Sequence, residues 1–392
     1  MTTHTAPSLP LPDDIGIQHS QQLVNQLHKQ LEHGVVSFAQ YMQTALYEPG
    51  LGYYMAGAQK FGSGGDFVTA PEVSALFGQC VAAQCREVLD LIGGSVLELG
   101  AGSGRLALSV LSSLSDTPPE NYFILEPSAE LQLRQKQFLQ QHLPKTLYSR
   151  VHWLNALPEN FVGVCLANEV MDALPVELFF KQGIQVHQVC VGRNEDRMEY
   201  VTQPAPAELQ TMVALIETEL GTPFESGYRS EVCCLLAPWI TSLGRAMKKG
   251  VLLLSDYGYP RQEYYLPERS AGTLACYYQH HFHDDAFYYP GLQDITAHVD
   301  FTRVIEAGSA AGFALLGYTS QTGFLLNTGI STIAAKNIAA CKTELEQLGL
   351  AKEIKTLTLP GEMGERFQFM ALGKNLAPAL LGFSSKDLSH RL

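Results

Sequence analysis

The run Val96-Leu97-Glu98-Leu99-Gly100-Ala101-Gly102-Ser103-Gly104-Arg105-Leu106 holds the residue types best suited to gripping a small polar ligand. An apolar stretch ends beside an acid, and glycines follow at positions 100, 102 and 104. Glycines let the backbone turn tightly and approach a ligand with no Cβ in the way. Backbone N–H groups at the start of the following helix are free to bind polar groups. A dinucleotide fingerprint would place its third glycine at Arg105, so the spacing departs from that pattern. Glu98 would repel a pyrophosphate but suits an ammonium. The combination favours S-adenosylmethionine (SAM) over a nicotinamide dinucleotide. Glu98 would act on the amino-acid end, through water, and Gly100, Ala101, Gly102 and Gly104 would form the turn.

A second apolar run, Tyr122–Leu125, ends in Glu126-Pro127, at roughly the 20-residue spacing of a ribose-binding acid. Glu126 can accept from both ribose hydroxyls. A solvated glutamate at a strand end is the alternative, and the nearby glycine loop favours the ribose role. Asn155, after the third run, is placed to meet the adenine amino group, although asparagine also favours loops for turn reasons.

These residues need a scaffold that brings strand ends together. Short apolar runs alternate with helical stretches at Ser95–Leu99, Tyr122–Leu125, Arg150–Trp153, Gly163–Ala167 and Val251–Ser255. Helical segments at Leu106–Leu114 and Ala129–Leu139 fall between them, which predicts an α/β fold on a parallel sheet. The first 20 residues are polar and read as disordered, and helix begins near Gln21. Residues 21–94 form an N-terminal helical or lid region, in which the Gly/Tyr-rich stretch 38–66 reads as a long ordered loop and not a regular element, of the kind that carries function. A helix is expected from Pro71, with Thr69 as N-cap and Glu72 in its first turn. The core spans 95–260, with an antiparallel hairpin insertion at about 178–230 whose turns fall at Gln182-Gly183 and Arg193-Asn194. A cap or substrate region fills 261–330. Residues 331–392 supply a helix near Asn337–Leu348 and two final strands, Ile354–Leu359 and Arg366–Leu372.

Apolar residues make up 46% of the 392, enough for a large core, and no stretch approaches the length needed to span a bilayer. The N-terminus resembles neither a secretory signal nor a transit peptide, so a cytoplasmic, bacterial setting is expected. A net charge of −13 argues against a nucleic-acid partner. The eight cysteines form no C-x-x-C pair and are expected to be reduced and mostly buried. His280, His281 and His283, with Asp284 and Asp285, suggest a metal site at first sight. No second ligand pair stands at a recognised spacing, so no metal is expected.

Five stretches carry a wider resemblance: GDFVTAPEVSALFG (65–78), LELGAGSGRL (97–106), ANEVMDALPVE (167–177), LLSDYG (253–258) and GLQDITAHVDFT (291–302). Together they resemble the MidA-type SAM-dependent methyltransferases, over nearly the whole chain from about Gly34 to Lys374. The resemblance implies a class I methyltransferase fold: a Rossmann-like seven-stranded sheet, last strand antiparallel, with an N-terminal lid and cap insertions. It further implies protein-arginine N-methylation, the partner being a subunit of a respiratory complex in the eukaryotic relative. It adds a cofactor or lid role for the loop ending in Thr69, Pro71 and Glu72.

An arginine acceptor is planar, cationic and almost never deprotonated in solution. It needs carboxylates to grip the guanidinium and accept a proton. Glu169, at the end of the fourth strand, is the expected acceptor carboxylate, positioned by Asn168. Asp172 is a second clamp or a helix cap. Asp256, Tyr257, Asp294 and Asp300 are assigned to the acceptor side and cap. Asp294 is also suited to capping a turn, and His298 is a proton relay or, preferentially, a residue that braces the cap. The competing readings are methylation of a small molecule and a SAM-binding assembly chaperone.

Overall fold

The computed structural model describes residues 9–56 and 69–392. Its central sheet has strands β1 (Ser95–Leu99), β2 (Tyr122–Leu125), β3 (Val151–Leu154), β4 (Phe161–Asn168), β5 (Met247–Tyr259), β6 (Ala314–Ser320) and β7 (Phe367–Lys374). Their spatial order is β3-β2-β1-β4-β5-β7-β6. Strands β1 to β5 are parallel, and β7 runs antiparallel between β5 and β6. Strand order reverses between β1 and β4, and the carboxyl ends at such a switch point open a crevice for ligands.

The strand sequences explain this arrangement. In β1 and in the middle of β4 and β5 nearly every residue is buried, as expected of strands covered on both faces. One face packs on helices Ala75–Ile92, Arg105–Ser113 and Ile330–Ala340, the other on Leu236–Ala246 and Phe301–Ala310.

A second, five-stranded antiparallel sheet forms the cap. The chain between Glu177 and Pro204 makes a three-stranded meander, Glu177–Gln182, Gln185–Asn194 and Arg197–Pro204, rather than a single hairpin. Strand Arg229–Val232 adds to one edge, and the two-residue strand Val36–Ser37 also joins. Helices Asp14–Leu31 and Phe38–Tyr47 pack on this sheet through Leu23, Leu27, Tyr41, Met42 and Leu46. Between β5 and β6, where no regular period is legible, the chain forms a small sheet of Ala275–Tyr278, His281–His283 and Asp294–Thr296.

Five expectations are corrected. The 38–66 stretch is not all loop: residues 38–47 form the helix Phe38–Tyr47, started by a capping box between Ser37 and Gln40, while residues 57–66 lie outside the described residues. The helix expected near Asn337–Leu348 is the end of one helix, Ile330–Ala340, and the start of another, Glu344–Thr358. The first helix starts at Asp14, not Gln21, because the Asp13 side chain accepts the Gly16 N–H and caps it; residues 14–20 are therefore helical. Residues 354–358 end a helix, Glu344–Thr358, rather than forming a strand. A capping box between Thr343 and Glu346 starts that helix, and it runs on through the β-branched residues. The sixth strand is instead Ala314–Ser320. Finally, Ala70–Val73 is a single turn whose N-cap, Thr69, makes no capping bond. Extended Ser74 interrupts it, and the Ser74 hydroxyl accepts the Leu76 N–H to start the long helix Ala75–Ile92.

Candidate active site

The carboxyl ends of β1 to β4 border a cleft of about 790 Å³. Its floor is the glycine loop. Gly100, Gly102 and Gly104 all have positive φ, at 64°, 52° and 86°, which a side chain would strain. Gly104 is the N-cap of helix Arg105–Ser113 and faces Phe138 and Gln135 rather than the cleft, so its role is in the local backbone. Gly100, Ala101 and Gly102 line the cleft.

Around this floor stand Glu98, Glu126, Pro127, Asn155, Thr69, Pro71 and Glu72, all lining the same space. Glu98 is buried, and its carboxylate accepts from the Tyr122 hydroxyl at 2.6 Å. Burial pushes its pKa up to about 7, against the lowering effect of that bond, with the charge of Glu126 adding a smaller rise. Glu126 accepts from the Ser128 N–H at 3.0 Å and the Gln135 side-chain amide at 3.2 Å. The same Gln135 amide donates to the Gly102 carbonyl at 2.9 Å, so one side chain ties the acid to the glycine loop. Glu72 accepts from the Ser103 hydroxyl and pairs with Arg105 at 2.8 Å, fastening the short Ala70–Val73 turn over the loop. Residues 65–68 of the same motif lie outside the described residues.

At the far side of the floor, β4 ends in Asn168-Glu169. Glu169 has φ 52°, a left-handed conformation rare for a residue with a side chain. Its N–H donates to the Ser255 carbonyl at 2.8 Å, which holds the turn. Such outliers persist where the surroundings over-determine them, often at functional sites. The Glu169 carboxylate lines the cleft and accepts from the Asn168 amide at 3.2 Å and from the Ala70 N–H. Burial, then the nearby charge of Asp172, push its pKa up to about 8.

Behind Glu169 lies a second layer of acids outside the cleft wall. Asp256 is fully buried and accepts the N–H groups of Met171 at 3.0 Å and Asp172 at 3.3 Å, clamping the turn after Glu169. Asp172 accepts from the Tyr257 hydroxyl at 2.6 Å. Burial raises the pKa of both acids, and for Asp256 the charges of Asp172 and Glu169 raise it further. Asp294 accepts from the Tyr54 hydroxyl at 2.9 Å.

Of the residues assigned to the acceptor side and cap, Asp172, Asp256, Tyr257, Asp294, His298 and Asp300 do not line the cleft. Asp300 caps helix Phe301–Ala310 and pairs with buried Arg261 at 3.1 Å. His298 stacks on Tyr259, with ring centroids 5.3 Å apart and planes at 4°, and lies edge-on to Tyr257. Burial pushes its pKa down to about 4, so it is neutral near pH 7. The wall also holds Tyr47 and Tyr54, Arg105, Gln132, Trp239 and Leu243, whose place there no sequence motif marks. The Gly/Tyr-rich segment signals function without saying which rings take part. Nothing in the local sequence marks Trp239, or Gln135 behind Glu126.

Against known proteins, a family model described as "Putative S-adenosyl-L-methionine-dependent methyltransferase" matches residues 80–319. The chain belongs to this methyltransferase family. A Burkholderia thailandensis protein crystallised with S-adenosyl-homocysteine (SAH) is 39% identical, with a TM-score of 0.92, covering 98% of this chain and 100% of that one. "Protein arginine methyltransferase NDUFAF7, mitochondrial" of Danio rerio is 28% identical over 376 residues, covering 86% of this chain and 83% of its own. The protein of that name from Homo sapiens is 26% identical, covering 88% and 82%. This methyltransferase therefore has the class I fold, and SAM is its methyl donor.

The residues present fit that donor. Two left-handed glycines that line the cleft, Gly100 and Gly102, leave room for close approach, and the carboxyl groups of Glu98 and Glu126 stand in the same space to meet cationic and hydroxyl groups. Among the described residues, no helix is long and apolar enough to cross a membrane.

Proposed function

We propose that this methyltransferase modifies a guanidinium nitrogen of a protein arginine, with Glu169 as the acceptor-facing carboxylate. One observation carries the reading: Glu169, Asp172 and Asp256 lie together without a cation. No ion pair among the described residues involves any of the three. A buried acid cluster with no internal counter-charge is costly, and a cationic acceptor offsets that cost where methyl transfer needs it. The relatives named as protein arginine methyltransferases support an arginine acceptor and a protein substrate.

When bound, SAM supplies an electrophilic methyl on a sulfonium. Glu98, Glu126 and Asn155 bind its ammonium, ribose and adenine ends in this reading, with Thr69, Pro71 and Glu72 closing over it. Glu169 grips the guanidinium, localises its charge and takes its proton as the N–CH3 bond forms and the S–CH3 bond breaks. Asn168 orients Glu169, while Asp256 and Asp172 fix the turn from behind. His298 and Asp300 brace the cap. A respiratory-complex subunit is the protein target this reading favours, and the eight free cysteines support a reducing, cytoplasmic setting.

The test is incubation of the protein with methyl-labelled SAM and host-cell extract. Label should appear on a protein band and be released on hydrolysis as methylated arginine. Label recovered only in small molecules, or an undiminished rate in Glu169→Gln, overturns the reading.

A further inference from the structure

Part of the cleft wall is aromatic. Helix Phe38–Tyr47 ends at Tyr47, and the chain folds back so that the Tyr53 and Tyr54 N–H groups donate to the Ala45 and Leu46 carbonyls, both at 2.9 Å. This return lays the Tyr54 ring against that of Tyr47, with centroids 5.5 Å apart and planes 26° apart. Neither ring is free to swing. The Tyr47 hydroxyl donates to the Ala173 carbonyl at 3.0 Å, four residues beyond Glu169, and the Tyr54 hydroxyl donates to Asp294 at 2.9 Å. Tyr53 packs edge-on to Tyr54 at 5.0 Å and fixes it from the side. Both Tyr47 and Tyr54 line the cleft that Glu169 lines.

Their surroundings are acidic. The charges of Asp294 and Asp172 reach both phenols and, after burial, are the largest influences raising their pKa values. One carboxylate oxygen of Asp172, a 3%-exposed residue, has no hydrogen-bond partner. The cleft thus offers two immobilised π systems together with the Glu169 carboxylate, backed by the acid layer behind it.

We propose that Tyr47 and Tyr54 are positioning residues that hold the acceptor's cationic head flat in front of Glu169, selecting a planar guanidinium over a tetrahedral ammonium. This rests on the cationic-acceptor reading above and adds what distinguishes one cation from another. A guanidinium is weakly hydrated and stacks on aromatic faces while its N–H edge remains available to a carboxylate. An alkylammonium is a compact, strongly hydrated point charge, so carboxylates alone do not disfavour it. Rings tethered through their hydroxyls keep the stacking plane fixed as the acceptor arrives. Ring orientation would then also set the line along which the nitrogen meets the methyl group.

The experiment uses the full-length protein saturated with SAH, titrated with methylguanidinium or methylammonium at millimolar concentrations and followed by protein NMR shifts. The parent should prefer methylguanidinium by about ten-fold, the scale of a desolvated cation–π contact. Tyr54→Leu and Tyr47→Leu should each bring the ratio of the two affinities towards one, while Tyr54→Phe, which keeps the ring, should retain most of it. SAH affinity by calorimetry and the thermal midpoint identify a variant that has merely failed to fold. A ratio unchanged in both leucine variants, or a parent that binds the two cations equally, overturns this inference alone. A parent that binds neither cation, while binding SAH, overturns the cationic-acceptor reading with it.

Discussion

The hydroxyl of Tyr122, the first residue of β2, donates at 2.6 Å to the carboxylate of Glu98 on neighbouring β1. That bond favours the ionised acid, and burial outweighs it, leaving Glu98 poised near pH 7. In the proposed reading Glu98 acts on the ammonium of the cofactor, so binding should expel its proton. SAH affinity should therefore rise with pH up to about 7, by at most about ten-fold per unit, and level off above. Calorimetry in buffers of different ionisation enthalpy should detect the released proton. Tyr122→Phe should move the inflection to higher pH, and Glu98→Gln should flatten it.

Gly102 and Glu126 test the two ends of the cofactor site. A valine at position 102 would have to adopt φ 52°, so Gly102→Val should abolish measurable SAH binding without unfolding the protein. Glu126→Ala removes the proposed ribose acceptor and should cost about 1.5–3 kcal/mol of SAH binding. Gln135→Ala should cost less than Glu126→Ala, because it frees the carboxylate rather than deleting it. Neither parent nor variants should bind NAD by the same calorimetry.

Much of this was readable from local signals. The glycine loop, Glu126 and Glu169 each follow an apolar run, and period and punctuation alone mark where a parallel strand ends. What stayed hidden depends on distant pairing. Strand Ala314–Ser320 joins the sheet only through β7, some 50 residues later, and no local pattern announces that partnership. Residues 354–358 carry β-branched side chains, yet a capping box a dozen residues upstream decides for helix. Asp300 and Asp172 lie within the motifs that carry the family resemblance, but their contacts are with Arg261 and Tyr257, partners that spacing does not reveal.

Arg261 exemplifies this hidden layer. Its nearly buried guanidinium pairs with Asp300 at 3.1 Å and bidentately with Glu306 at 2.6 and 2.7 Å. It also contacts Glu219 of helix Ala207–Leu220, linking the cap insertion to the core. Arg261→Met leaves Asp300 buried without its cation, a loss worth about 3–5 kcal/mol. Urea unfolding should show that destabilisation, partly recovered in the double variant Arg261→Met/Asp300→Asn. SAH affinity of the folded variant should stay close to the parent's, since neither residue lines the cleft.

Glu169 should shape both the rate and the stability as pH changes. In the free protein its pKa of about 8 lies well above the ordinary 4.5. Only the ionised form can take the acceptor's proton, so kcat/KM should climb through neutral pH and level off above about 8. Asn168→Ala removes a bond that favours the charged form and should move that inflection upward. Glu169→Gln should abolish the limb and lower kcat by about 10²–10⁴. For stability the sign is opposite to that of an ion-paired acid. Between pH 4.5 and about 8 the folded protein keeps a proton that the unfolded chain sheds. The group's contribution is therefore fully present below 4.5 and is lost as pH rises across that window. Urea unfolding of the cofactor-free protein should show Glu169→Gln gaining on the parent as pH rises from 4.5 to 8. A parent and variant that keep the same difference throughout would mean that Glu169 is already ionised at neutral pH, and the rate limb should then be absent as well.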